Sequence, residues 1–150
     1  AYYEHALPVI KEVITKDYDL RKIADLVKTR IEIFPDIKEL IDFFEEVPEY
    51  DSAMYCHKKM KTNDEIALSS LQAALPVLEN LSAWNETAIH DSLMALVGEL
   101  GIKNGQLLWP VRTALSGEQT SPGGAMELAD ILGKEEALRR IRKGIEKLSK

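Results

Sequence analysis

Apolar residues recur three and four positions apart along almost the whole chain, and this spacing constrains the fold more than any other feature. The pattern places apolar side chains on one face only if the segment is an α-helix, which has about 3.6 residues per turn. No segment shows the alternation of apolar and polar positions, bounded by hairpin turns, that marks a half-buried strand. The sequence therefore predicts an all-α protein, a compact helical bundle of about seven to eight helices.

The N-terminal third is predicted to hold three helices and to end at a boundary. These helices cover residues 7–15, 19–30 and 35–46. After them, residues 47–60 lack a consistent period and contain Pro48, which ends the third helix. We therefore expect two small subdomains, residues 1–57 and residues 58–150.

Cap signals divide the rest of the chain into further helices. Thr62 and Glu65 have the spacing of a capping box, in which each side chain bonds to the other residue's backbone N–H. Asn85 is predicted to begin the next helix. Glycines that tolerate a left-handed cap are predicted to end three helices, at Gly101, Gly117 and Gly133. One helix is expected to open at Ser121-Pro122, and the last is expected over residues 134–148.

Charge is unevenly distributed along the chain. The net charge is −6, to which residues 1–56 contribute −6, residues 57–100 contribute −3 and residues 101–150 contribute +3. The cations near the C-terminus are Lys134, Arg139, Arg140, Arg142, Lys143, Lys147 and Lys150. An acidic chain is a poor match for nucleic acid, but a local basic patch is what phosphate contacts require. Charge alone favours a plainer alternative, a solvated helix face with cations near its C-terminus.

Catalytic motifs are absent from the sequence. It has no glycine loop for phosphate, no nucleophile elbow and no cysteine pairs at zinc spacing, and Cys56-His57 supplies only two of the roughly four ligands of a structural zinc site. A single cysteine excludes an internal disulfide and favours a reducing, cytoplasmic setting. No apolar run approaches the roughly 18 residues of a membrane span. We expect no catalysis, no metal and no cofactor in this chain, and no membrane association.

The segment over residues 103–142 is the most informative part of the sequence. Pro110 lies inside a helical pattern, so it should bend the preceding turn and present Trp109 and Arg112. A guanidinium can stack on an unpaired RNA base and bond to its edge. The alternatives are an Arg112 that pairs with a carboxylate or faces water, and a Trp109 that belongs to the core rather than to a stacking platform.

Within this segment, short motifs follow one another in a fixed order. They are Pro110-Val111-Arg112, Gly117, Ser121-Pro122, Leu132-Gly133-Lys134 and Ala137-Leu138-Arg139-Arg140-Ile141. This ordered set resembles the C-terminal signature of bacterial glutamyl-tRNA synthetases. Fainter likeness extends upstream through Arg30, Phe43-Phe44 and Trp84, so the resemblance covers nearly the whole chain. Trp109 and Gly123-Gly124 depart from the usual pattern and put the rigidity of the loop in doubt.

The resemblance implies an anticodon-binding region. Residues 1–57 would be the end of a helical connector with a first anticodon-proximal subdomain, and residues 58–150 the terminal subdomain. Together they would form an α-helical cage around the anticodon loop. The residues implied to bind RNA are Arg112, which would face anticodon bases, its neighbour Thr113, then Gly133, Lys134, Leu138 and Arg139 of the last helix, and Arg30. Arg142 and Lys143 add charge that suits phosphate.

The resemblance also implies a larger parent enzyme. Its full-length form would attach glutamate to tRNA(Glu), using ATP and magnesium bound by an N-terminal catalytic domain that this sequence lacks. The chain alone would then bind tRNA without catalysing any reaction, as a monomer in the cytoplasm. Whether tRNA(Gln) is also a partner stays open. The main alternative is a helical protein-interaction module with no RNA partner, which the acidic N-terminal half favours.

Overall fold

The computed structural model describes residues 2–28, 36–119 and 121–149, and these ranges fold as eight α-helices. The helices are α1 (Tyr2–Val13), α2 (Leu20–Val27), α3 (Asp36–Glu45), α4 (Asp64–Glu79), α5 (Glu86–Leu100), α6 (Asn104–Ser116), α7 (Ala125–Leu132) and α8 (Lys134–Leu148). A short 3₁₀ helix covers Ser52–Tyr55. The predicted all-α class is confirmed.

Most predicted helix caps are present. The Asn85 side chain accepts from the backbone N–H of Ala88 at 2.8 Å and begins α5. Gly101 and Gly117 end α5 and α6 in the left-handed region, with φ of 64° and 62°. The last helix, α8, has the predicted bounds.

The capping box predicted at Thr62 is wrong. The N-cap of α4 is Asn63, whose side chain accepts from the backbone N–H of Ile66 at 2.9 Å. Thr62 is not free for this role, because its hydroxyl donates to the Tyr55 carbonyl at 2.7 Å and accepts from the His57 N–H at 2.9 Å. Asparagine caps a helix as well as threonine does, so the helix begins one residue later.

The start predicted for α7 is also wrong. This helix begins at Ala125 instead of Ser121. The Ser121 hydroxyl donates to the Gly123 carbonyl at 2.7 Å and accepts from Arg112 at 2.8 Å, so it holds a loop together and does not cap a helix. Glu127 instead accepts from the Gly124 N–H at 3.0 Å, which closes the first turn.

The helices pack in two groups, α1 to α3 and α4 to α8. Hydrogen bonds connect the groups: Lys147 donates from Nζ to the Tyr50 carbonyl at 2.8 Å, and Lys22 pairs with Asp130 at 2.9 Å. The 3₁₀ helix over Ser52–Tyr55 packs on α4 and α6, and the predicted division at residue 57 stays a prediction.

Arg140 connects the two groups of helices through hydrogen bonds from a buried side chain. Its side chain is fully buried. The Nε atom donates to Glu136 at 2.7 Å, Nη1 to the Leu115 carbonyl at 2.7 Å and Nη2 to the Phe44 carbonyl at 3.1 Å. Leu115 and Phe44 lie in the last turns of α6 and α3, where carbonyls lack helical partners. One guanidinium therefore satisfies the ends of two helices from a third.

Glu136 should make stability depend on pH in the acid range. Hydrogen bonds from Arg139 and Arg140 lower the pKa of Glu136 to about 2. Because the pKa is lower in the folded state, the stabilisation is complete above the unfolded value of about 4.3 and is lost as pH falls towards 2. We expect Glu136→Gln to be less stable than the wild type at pH 7, with a gap that closes between about pH 5 and pH 2. Urea unfolding across this pH range measures the difference in free energy of unfolding between the two proteins. A difference that stays constant with pH would contradict the role of Glu136.

Gly144 allows α8 to pack closely against its neighbours. A Cβ atom at this position would lie 2.5 Å from the Tyr55 hydroxyl and 3.2 Å from both Ala114 and Leu71. Tyr55 has little room to move, because it is fully buried and its hydroxyl lies 2.5 Å from that of Tyr50. We expect Gly144→Ala to lower the free energy of unfolding by about 1–3 kcal/mol in urea unfolding.

Gly98→Ala provides the matched control for Gly144→Ala. Gly98 lies inside α5, and a Cβ there would meet no atom within 4 Å. Alanine should therefore stabilise the chain by about 0.5–1 kcal/mol through helix propensity alone. Opposite signs for the two substitutions would confirm the packing argument, and equal signs would contradict it.

Candidate nucleic-acid interface

Trp109 supports the side chain of Arg112. Helix α6 runs through Pro110 without ending, and Trp109 lies half-buried on it. The indole N–H donates to the Met54 carbonyl at 3.0 Å, which fixes the ring. Arg112 places its guanidinium carbon 4.3 Å from the ring centroid, and the His57 ring centroid lies 4.2 Å away. Trp109 is thus a platform for a guanidinium of its own chain.

Arg112 organises the loop between α6 and α7. Only 9% of the residue is exposed. Its Nη1 atom donates to the Ser121 hydroxyl at 2.8 Å, and Nη2 donates to the carbonyls of Glu118 at 2.9 Å and Gln119 at 3.3 Å. Burial lowers the pKa of Arg112, and it raises the pKa of Glu118. The loop is therefore folded around a buried cation.

One donor of the Arg112 guanidinium has no acceptor among the described residues. Its Nε atom is buried and has no hydrogen-bond partner within the part of the chain that the structure describes. A buried donor without an acceptor costs about 1–3 kcal/mol. The predicted contact between Arg112 and anticodon bases stays a prediction, and the guanidinium would meet them with most of its donors already engaged.

An open cavity of about 470 Å³ lies beside this loop. Its lining includes His57, Trp109, Arg112, Gln119 and Ser121. Aromatic rings and polar loop residues together line the cavity, which suits a planar polar ligand. The sequence indicates His57 only as a possible metal ligand and gives no signal for Gln119, because the fold of the loop and not a local pattern brings them here.

Gly123 and Gly124, which depart from the usual pattern, lie in this loop. Gly123 is buried where α2 approaches the loop, and a Cβ there would lie 3.0 Å from the Leu26 side chain and 3.2 Å from Glu127. The missing side chain therefore lets α2 approach closely.

The other predicted residues of the interface have varied surroundings. Thr113 and Leu138 are buried. Gly133 has a φ of 83° between α7 and α8, and Lys134 donates from Nζ to the Leu81 carbonyl at 2.8 Å. Arg30 lies outside the described residues. Contact between RNA and any of these five stays a prediction.

The cations on the outer face of α8 are mostly paired. Arg139 bonds to Glu136 at 2.7 Å, and Arg142 bonds to Glu79 at 2.7 Å. Lys143 is exposed and is in no ion pair among the described residues. Because surface pairs contribute only about 0–1 kcal/mol, a phosphate can replace their carboxylates.

The described ranges contain neither a cluster of metal-ligating side chains nor a helix that could span a membrane. Nowhere in them do three or more His, Cys, Asp or Glu side chains gather as a metal site would require. Among the helices of the same ranges, none has the length and apolar character needed to cross a membrane.

Known proteins resemble the chain over almost its full length. Residues 1–145 match the family described as "Anticodon binding domain". The glutamate–tRNA ligase of Lachnoclostridium phytofermentans is 64% identical over 148 residues, which are 99% of this chain and 30% of that protein. The ligase of Clostridium tetani is 57% identical over 147 residues, 98% of this chain and 30% of that protein.

Solved structures agree with these relatives. The glutamate tRNA ligase of Elizabethkingia meningosepticum, solved in complex with its amino acid, matches with a TM-score of 0.77 at 26% identity, over 99% of this chain and 30% of that one. The glutamate–tRNA synthetase of Elizabethkingia anophelis matches with a TM-score of 0.71 at 27% identity, over 97% and 29%. The chain thus spans about 30% of the length of these relatives. It belongs to the anticodon-binding domain family and is homologous to the C-terminal region of glutamate–tRNA ligases.

Proposed function

We propose that the chain recognises the anticodon loop of tRNA(Glu) as the C-terminal region of a glutamate–tRNA ligase. The observation that carries this proposal is the cavity at Arg112, which joins aromatic rings, a guanidinium and loop polar atoms in a domain of this family. Proteins read RNA sequence where bases are unstacked, and the anticodon loop offers such bases.

Roles divide between base contact and phosphate contact. Arg112 would meet the bases through the cavity edge of its guanidinium, and Thr113, its buried neighbour on α6, would support it from behind. Gly133, Lys134, Leu138 and Arg139 would approach the loop from α8. Arg142 and Lys143 would bind phosphates, with Arg142 exchanging Glu79 for one. Arg30 would act from the N-terminal group, near the first anticodon base.

The parent enzyme would attach glutamate to tRNA(Glu) with ATP and magnesium held by its catalytic domain. It would work as a cytoplasmic monomer. The chain described here would contribute recognition and no bond-making step. Whether tRNA(Gln) is also bound depends on a few base contacts.

Fluorescence anisotropy with labelled anticodon stem-loop RNAs tests the proposal. The hairpins would carry the anticodon of tRNA(Glu), that of tRNA(Gln) or an unrelated one, at several salt concentrations. We expect the tightest binding to the glutamate anticodon and weaker binding to the unrelated one. Equal, weak and salt-insensitive binding to all three would favour the protein-interaction module instead.

A further inference from the structure

A tight turn beside the cavity carries three lysines. His57 and Thr62 form an antiparallel bridge, and the chain reverses between them through Lys58, Lys59 and Lys61. The Lys61 N–H donates to the Lys58 carbonyl at 3.3 Å, which closes the turn. We call residues 57–62 the lysine turn. All three lysines are exposed.

The lysine turn is held firmly against α6. Gln106 donates from its side-chain amide to the Lys61 carbonyl at 3.1 Å. Met60 lies so close to α6 that a Cβ on Gly105 would be 2.7 Å from its sulfur. At the base of the turn, the His57 ring contacts Trp109. The lysines therefore extend from a fixed support that also lines the cavity, so less ordering is needed when a ligand binds.

The three lysines of this turn have no carboxylate partner within ion-pair distance in the described part of the chain. The outer arginines of α8 differ, because Arg139 and Arg142 already have carboxylate partners. Three like charges within four residues repel one another, and an anion bound between them would relieve that repulsion.

The backbone of Lys61 has an unusual conformation. Its φ is 59°, and it is the only residue other than glycine with a positive φ in the described ranges. Glycine or asparagine adopts this conformation at lower cost, so a lysine here is locally strained. Strained backbone persists where the surroundings fix it, often at binding sites.

We propose that the lysine turn is a phosphate-binding site for the RNA strand whose bases enter the cavity at His57 and Trp109. This inference rests on the proposed function and adds a contact surface to it. In a single strand the phosphates flank the bases, so a cavity whose lining residue His57 begins a turn with three cations suits both parts of a nucleotide. An acidic protein would match the lysines but would have no use for the neighbouring cavity.

The test compares charge variants of the chain in the same anisotropy titrations. Lys58→Gln/Lys59→Gln removes two charges and leaves the strained Lys61 unchanged. Each lost phosphate contact should reduce the slope of log K against log salt by about 0.7, so the double variant should be less steep by about 1.4. The loss of affinity should be the same for the matched and the unrelated anticodon, because phosphates carry no sequence information.

Two controls separate charge from other effects. Lys58→Arg/Lys59→Arg keeps the charge and should retain the wild-type slope. Lys11→Gln/Lys16→Gln makes the same charge change at two exposed positions, one in α1 and one just after it. This variant should leave the slope unchanged.

The outcomes distinguish this inference from the proposed function. If the wild type binds no hairpin, the proposed function itself fails. If the wild type prefers its anticodon but the Lys58/Lys59 glutamine variant keeps the full slope and affinity, only the lysine turn is overturned. Binding of polyglutamate that disappears in this variant, with RNA binding unchanged, would also overturn it and favour a protein partner.

Discussion

Arg140→Ala is expected to lower the free energy of unfolding by about 3–5 kcal/mol, because each buried carbonyl that loses its donor costs about 1–3 kcal/mol and the lost side chain adds a cavity. The substitution leaves the Leu115 and Phe44 carbonyls buried without their donor and creates a cavity between α3, α6 and α8. Urea unfolding followed by circular dichroism measures the change as a lower midpoint at similar slope.

Arg139→Ala is the matched control for Arg140→Ala. Arg139 bonds to the same carboxylate, Glu136, at the same 2.7 Å, but its side chain is 48% exposed. Its loss should cost less than about 1 kcal/mol, because Glu136 keeps Arg140 and water reaches the site. Similar small losses for both variants would contradict the bridging role of Arg140.

The contrast between these two arginines shows what the sequence can and cannot predict. Local signals gave the all-α class, the Asn85 cap, the glycine ends of α5 and α6 and the bounds of α8, because each depends on residues within a few positions. From the sequence alone, Arg140 belongs to the cluster of cations near the C-terminus. Its burial depends on the Phe44 carbonyl, 96 positions away in sequence, and periodicity contains no information about that contact.

The candidate interface also combines features that the sequence indicates with features that depend on tertiary contacts. The cavity lies in the segment that the motif with Pro110 and Ser121-Pro122 marks, and RNA binding there stays a prediction. The sequence did not predict that Arg112 would be buried, because its partners are loop carbonyls that only the folded loop brings together. The lysine turn was read as an aperiodic boundary. Its relation to the cavity comes from the packing of His57 on Trp109, a tertiary contact.

Arg112→Ala should affect both stability and anticodon preference. Loss of the bonds to Ser121, Glu118 and Gln119 should reduce the free energy of unfolding by about 1.5–3 kcal/mol, as for hydrogen bonds to charged groups. Binding of the matched anticodon hairpin should weaken by about 1–3 kcal/mol, with a smaller preference over the unrelated hairpin. The same urea and anisotropy measurements give both values.

Two further variants separate the loop-ordering role of Arg112 from direct base contact. Ser121→Ala removes one acceptor and leaves the guanidinium in place. If Arg112 acts only by ordering the loop, Ser121→Ala should reproduce part of the lost anticodon preference. If the guanidinium itself meets a base, Ser121→Ala should keep the preference, while Arg112→Lys, which retains the charge without the planar fork, should lose it. Wild-type preference in both Arg112→Ala and Arg112→Lys would remove Arg112 from the interface and leave it a purely structural residue.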